Sequence, residues 1–206
     1  MQMVQAFLLF IAECASDSFF FSITMHLCGQ LELLRIRFAE IAGKIDEKNR
    51  CGNSFGPWIK RHCQLITLAK NIEDSFNINI LLRLGITTIV IAVSGMRIMM
   101  SLKHQDYTDV LKSMMFIQYF IVQSFLFTHA GDTLQSQSES IVTAIYSTTW
   151  HELPPTTMKD LALIMMRTRI PLRLSAGKFF YITRSTITDI LTTALTYISF
   201  LQAMEE

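Results

Sequence analysis

This sequence is short of charge: 17% of its 206 residues are Asp, Glu, Lys or Arg, against 50% AVILMFWYC, and the mean hydropathy is +0.34. An ordinary soluble domain carries about 25% charged residues, so the balance here is that of a membrane protein. A formal net charge of +1, with Lys and Arg in blocks between apolar runs, provides no basic stripe and excludes nucleic acid as an expected partner. Cys14, Cys28, Cys51 and Cys63 lack the paired spacing of a small secreted scaffold and read as reduced thiols. Also missing are a Gly-rich phosphate loop, HExxH, GxSxG and CxxC, so neither enzyme chemistry nor a cofactor is expected. His62 beside Cys63 needs two more ligands at sensible spacing to hold zinc, and Cys51 alone does not supply them, so both read as packed helix residues. The start, MQMVQAFLLFIAECASDSFFFS, has no basic n-region and no cleavage site that stands out, which argues against a secretory signal. Repeats and low-complexity tracts are absent too.

What is present is a series of windows free of charge. Ser113 to Gly131 gives 19 residues without Asp, Glu, Lys or Arg, enough at about 1.5 Å per residue to cross a hydrocarbon core of about 30 Å. Shorter windows run from Leu84 to Met96 and from Ile190 to Met204, and two N-terminal runs are split by Glu13 and Asp17. The basic residues order these windows. None precedes Arg35, eight lie from Arg35 to Lys70, Arg83 stands alone, three lie from Arg97 to Lys112, six from Lys159 to Arg184, and none follows. Positive residues favour the cytoplasmic side of short loops. Four crossings therefore fit, with both ends outside and approximate spans 5–31, 76–98, 113–133 and 185–204. Translocating an N-terminus without a signal makes the chain read as the back part of a longer polypeptide.

The two basic blocks flank cytoplasmic segments, 32–72 and 134–178, that read as helical. In the first, a break is expected at CGNSFGP, after which Trp58, Ile59, His62, Leu65, Ile66 and Ala69 recur at helical spacing. In the second, the third span continues as DTLQSQSESIVTAIYSTTW, stops at LPP, and a new helix starts at TTMKDLALIMMRT, with Thr157 and Asp160 as a capping-box-like start. Its Leu161, Ile164, Met165 and Thr168 share one side. The fold class is thus all-α, a polytopic membrane helical bundle with cytoplasmic helical extensions.

Several polar or soft residues carry two readings each. Glu13 and Asp17 share a helix face and either mark a polar pocket or pair structurally. Asp189 and Arg83 sit near span ends and can simply reach the interface. His104, Asp106 and Tyr107 form a solvated outer loop. The methionine clusters suit either an adaptable apolar pocket or core filling.

Four stretches together, FFFSITMHLCGQLELLRIRF, WIKRHCQLITLAKNIEDSFN, HAGDTLQSQSESIVTAIYSTTWHELP and LALIMMRTRIPLRLSAGKFFYITRSTITDILTTALTYISFL, resemble in order the fourth to seventh helices of insect odorant receptors. The most specific parts are Gly131-Asp132, the Ser138, Tyr146 and Trp150 series, Pro171 through Phe179, and the Tyr197 and Leu201 ending. The resemblance implies a subunit of an odorant-gated cation channel in the plasma membrane of a sensory neuron dendrite, with an extracellular C-terminus. It also implies a heterotetramer with an olfactory co-receptor, a small volatile ligand, a pore lined by the last helix, and an anchor built by the cytoplasmic helices. The related gustatory receptors commonly end in Thr-Tyr, five apolar residues and Gln-Phe. Here Gln202 follows Thr196-Tyr197 after four residues and Ala203 replaces the aromatic, which favours the odorant branch.

On the last helix Thr193, Thr196, Phe200 and Ala203 fall at steps of three, four and three and share a face. Two hydroxyls, a ring and a small residue suit a cation pore with an apolar constriction. The rival reading has the threonines bonding neighbouring helices while Ile198 and Leu201 meet lipid. For the ligand, the outward halves of the first and third spans offer Met3, Phe7 and Phe10, and Met115, Phe116 and Tyr119. An apolar lining with one hydroxyl suits a small volatile molecule, and the same side chains equally suit packing between helices. A gustatory-type channel, a non-receptor membrane scaffold or transporter component, and a soluble helical enzyme remain the competing readings.

Overall fold

The computed structural model describes residues 1–43, 56–147, 150 and 155–205. Five helices are found among them: α1 (Gln2–Gly43), α2 (Gly56–Lys103), α3 (Tyr107–Tyr146), α4 (Pro155–Thr168) and α5 (Ser185–Glu205). A small antiparallel hairpin, β1 (Ser175–Ala176) and β2 (Phe180–Tyr181), precedes α5. Helices α1, α2 and α3 have 42, 48 and 40 residues. At about 1.5 Å per residue each is roughly twice as long as a hydrocarbon core is thick. Among the described residues these three are long and apolar enough to cross a membrane. The fourth expected span, 185–204, falls on α5, 21 residues, which is not one of these three. Most of the break expected at CGNSFGP and of the LPP stop lies outside the described residues, as do Cys51 and the side chains of Thr157, Asp160, Leu201 and Gln202.

One compact unit comprises Met1–Ser75 and Thr133–Arg173. Its core is built from four buried stripes at helical spacing. These are Phe20, Leu27, Leu31, Leu34 and Phe38 on α1; His62, Leu65, Ala69 and Ile72 on α2; Leu134, Ser138, Ile141 and Ile145 on α3; and Leu161, Ile164 and Thr168 on α4. The stripes expected on α2 and α4 are buried or half-buried along their whole length. Around them the unit is trimmed with charge, as a surface meeting water requires. Arg35 pairs with Glu32, Arg61 Nη2 donates to Gln30 Oε1 at 3.0 Å, and the Arg37 guanidinium lies 5.8 Å from the Trp58 ring centroid. Helix α4 opens on Pro155, where the missing N–H costs nothing because the first-turn donors have no helical partner. Leu172 N donates to Ser138 Oγ at 3.1 Å, tying the chain after α4 back onto α3. The N-terminal stretch of α1 is different: up to Phe19 it is apolar yet exposed or half-buried.

The other unit comprises Phe76–Asp132 and Leu174–Glu206, and here an apolar outer surface covers an interior that mixes apolar and polar side chains. On α2, Ile78, Leu82, Ile86, Ile89 and Val93 form an exposed stripe at helical spacing, while Asn77 and Thr87 are buried with Ile80, Leu84 and Ile91. On α3, Met114, Met115, Phe116, Val122 and Phe125 are exposed while Ser113, Ser124 and Thr128 are buried. An outer surface this apolar is a liability in water and costs nothing in lipid, where hydroxyl-bearing residues pack inward and bond to the backbone. Thr128 Oγ1 donates to Ser124 O at 3.0 Å and Thr88 Oγ1 to Leu84 O at 2.9 Å in that manner.

Two turns fix this second unit. Between α2 and α3, Gln105 adopts φ 59°, with Gln105 N bonded to Leu102 O at 3.4 Å and Asp106 N to Ser101 O at 3.0 Å. That is the Schellman arrangement for ending a helix. Asp109 pairs with Lys112 of the same helix at 3.0 Å and with Arg97 across the turn at 3.5 Å, and these partners, Lys112 first, hold its carboxyl below the usual carboxylate range. Within the segment expected to be helical up to residue 178, α4 ends at Thr168 and the hairpin follows. Gly177 (φ 59°) and Lys178 (φ 62°) are both left-handed, the pattern of a tight hairpin turn. Gly177 N donates to Asn77 O at 2.9 Å, which pins the hairpin tip to α2.

Candidate functional site

At about 100° per residue, Thr193, Thr196, Phe200 and Ala203 fall within an arc of about 80° on α5. All four are exposed. The buried side of the same helix carries Thr186, Ile190 and Ala194. The hydroxyls on and beside the exposed face do not reach for other helices. Thr193 Oγ1 donates to Asp189 O at 2.7 Å, Thr196 Oγ1 to Thr192 O at 2.9 Å, and Ser199 Oγ to Leu195 O at 3.0 Å. A hydroxyl has one proton and two lone pairs. With its proton held by the helix, each oxygen presents only acceptor character outward, as does Thr192, bonded to Thr188 O at 2.8 Å.

The two aromatic sets expected to contact a ligand belong one to each unit. Met3, Phe7 and Phe10 stand exposed along one face of α1, and Phe7 retains 64% of its accessible surface. Met115 and Phe116 are exposed on α3, while Tyr119 is half-buried and packs edge-on against Phe120 at 5.2 Å between centroids. Each trio is contiguous on its own helix.

Three features were not anticipated from the sequence. First, Gly131 lets α3 approach the chain entering α5 closely: a Cβ there would lie 2.9 Å from Ile182 O. Next to it, Asp132 Oδ2 pairs with Arg184 Nε at 2.7 Å, so the Gly-Asp dipeptide holds the start of α5 by shape and by charge. Second, Gly95 packs so tightly under Ile198 that any Cβ would collide with the Ile198 side chain. Third, a cleft of about 350 Å³ opens in the second unit, walled by Leu81, Leu84, Gly85 and Thr88 of α2, Phe180 of β2, and Thr186, Asp189, Ile190 and Thr193 of α5. The sequence signals were the isolated glycines within helical runs, which mark close backbone approach or open space. Among the described residues no group of three or more His, Cys, Asp or Glu is placed to hold a metal ion.

Comparison with known proteins bears on this arrangement. The family model described as 7tm Odorant receptor matches residues 1–195. Odorant receptor 13a of Drosophila melanogaster is 25% identical over 209 residues, covering 92% of this chain and 49% of the relative. The Odorant receptor coreceptor of Ooceraea biroi is 23% identical over 140 residues, 68% of this chain and 29% of that relative. In fold the chain is similar to the insect olfactory receptor OR5 from Machilis hrabei, solved in complex with eugenol. The TM-score is 0.86 at 16% identity, over 98% of this chain and 51% of that one. The chain spans about half the length of the curated relatives it matches.

Proposed function

Since the chain belongs to the 7tm odorant receptor family and is a multi-pass membrane protein, we propose that it acts as a subunit of a ligand-gated, non-selective cation channel, with α5 lining the pore. The observation that carries this reading is the exposed α5 face. Thr193 and Thr196 turn acceptor oxygens outward, where they suit the hydration water of a passing cation, and Phe200 beyond them supplies an apolar ring able to close the path by dewetting. A water-filled path gives those outward oxygens hydrogen-bond partners, which lipid does not.

The ligand in this proposal is a small volatile molecule held in the outer half of the membrane, and the candidate contacts are Met3, Phe7 and Phe10 on α1 and, separately, Met115, Phe116 and Tyr119 on α3. Dispersion and shape supply most of the affinity at such a site. Spans 5–31, 76–98, 113–133 and 185–204 cross the membrane, the basic blocks lie inside and the C-terminus outside. The partner is an olfactory co-receptor subunit in a heterotetramer, and the location is the dendritic plasma membrane of a sensory neuron. The OR5 structure with eugenol supports an odorant ligand by fold alone.

Co-expression with a co-receptor subunit in voltage-clamped cells tests the proposal. Odorant-evoked cation current is expected, and Phe200→Ala is expected to raise the current at rest by removing the apolar constriction. Assembly at the surface without current across a broad odorant panel would instead favour a membrane scaffold.

A further inference from the structure

The cleft in the second unit has a chemistry of its own. Its floor is apolar, from Leu81, Leu84 and Ile190. Gly85 enlarges it, since a Cβ placed there meets nothing within 4 Å. Its polar atoms are mostly acceptors, the exception being Thr186, whose Oγ1 accepts from Thr183 N at 3.1 Å and keeps its own proton. Thr88 and Thr193 spend their hydroxyl protons on Leu84 O and Asp189 O, at 2.9 and 2.7 Å, and Asp189 contributes an exposed carboxylate. Among the described residues no side chain pairs with that carboxylate; the nearest cation along the chain, Arg184, is engaged by Asp132 at 2.7 Å. A carboxylate when ionised accepts and cannot donate. The cleft therefore asks for a partner that brings donors, positive charge and hydrocarbon together.

We propose that this cleft is a binding site for small organic ammonium ions, with the N–H donors on Asp189 and the Thr193 oxygen and the hydrocarbon part on Leu84 and Ile190. A charge-assisted hydrogen bond is roughly twice as strong as a neutral one, so the ammonium is selected over a neutral molecule of the same shape. A volume of about 350 Å³ falls within the range of small-molecule sites, about 300–1,000 Å³. Thr193 belongs both to this cleft and to the proposed pore face, so a bound amine sits beside the conduction path. That consequence rests on the channel reading, whereas binding itself does not.

Binding is therefore measured without current, on the full 206-residue chain in phosphatidylcholine nanodiscs, with empty nanodiscs subtracted. Hexylammonium is expected to bind at least about ten-fold more tightly than hexan-1-ol, a difference of about 1.4 kcal/mol. Asp189→Asn is expected to abolish that preference while leaving the alcohol unchanged. Gly85→Phe, which fills open space and leaves the carboxylate in place, is expected to weaken both ligands. Equal binding of amine and alcohol, an amine preference that survives Asp189→Asn, or methylammonium binding as tightly as hexylammonium would each overturn the proposal. Should Asp189→Asn fail to fold, Gly85→Phe decides the matter, because undiminished binding of both ligands to that variant would place them outside the cleft. Loss of odorant-evoked current with intact amine binding would count against the channel reading alone.

Discussion

At the scale of single residues, two positions carry sharp stability expectations. Gly177 sits at φ 59° against Leu81, and a side chain in the left-handed region costs roughly 1–2 kcal/mol. Gly177→Ala should lower the stability of the second unit by about that much, read as a shift in detergent-based thermal unfolding. His62 is buried in the first unit, outside the expected spans, and burial, with Arg167 adding to it, holds its imidazole below the usual 6.5. The unfolded chain then binds a proton that the folded chain refuses, so stability is lost as pH falls below about 6.5. His62→Gln should flatten the stability profile between neutral pH and pH 5, and an unchanged slope would contradict the assignment. His62 was legible in the sequence as a packed helix residue, because its spacing to Leu65 and Ala69 is helical. The pairing of Asp132 with Arg184 was not, because nothing local in a sequence says which distant side chain a carboxylate will face.

At the scale of elements, periodicity was the readable signal and contact between distant elements the hidden one. The α4 stripe shows why. Leu161 is buried and Leu163, two residues on and about 200° around the helix, is exposed. Leu161→Ala should cost about 2–5 kcal/mol, while Leu163→Ala should stay within about 0.5 kcal/mol. Equal effects would mean the stripe is misassigned. The hairpin after α4 escaped sequence reading for a physical reason. Its strands are two residues long, too short for alternation to register, and the turn depends on a backbone bond from Gly177 N to Asn77 O formed across about 100 positions. The α5 face was legible as a set of spacings. That its hydroxyls bond to their own helix and leave the oxygens outward required coordinates.

At the scale of the whole molecule, the account depends on which surface each segment meets. Scarcity of charge is the ground for assigning the long helices to lipid, and the block order of Lys and Arg is the ground for the proposed sidedness of the intervening segments. The exposed apolar stripe of Ile78, Leu82, Ile86, Ile89 and Val93 over a partly polar interior agrees with the lipid assignment. The sidedness is tested most directly by single-cysteine labelling with a membrane-impermeant maleimide. A variant keeping only Cys63, exposed on α2 before its span, and one carrying only His104→Cys in the α2–α3 turn are compared on intact and permeabilised cells. His104→Cys is predicted to label on intact cells and Cys63 only after permeabilisation. Labelling of Cys63 on intact cells with His104→Cys silent would contradict the account.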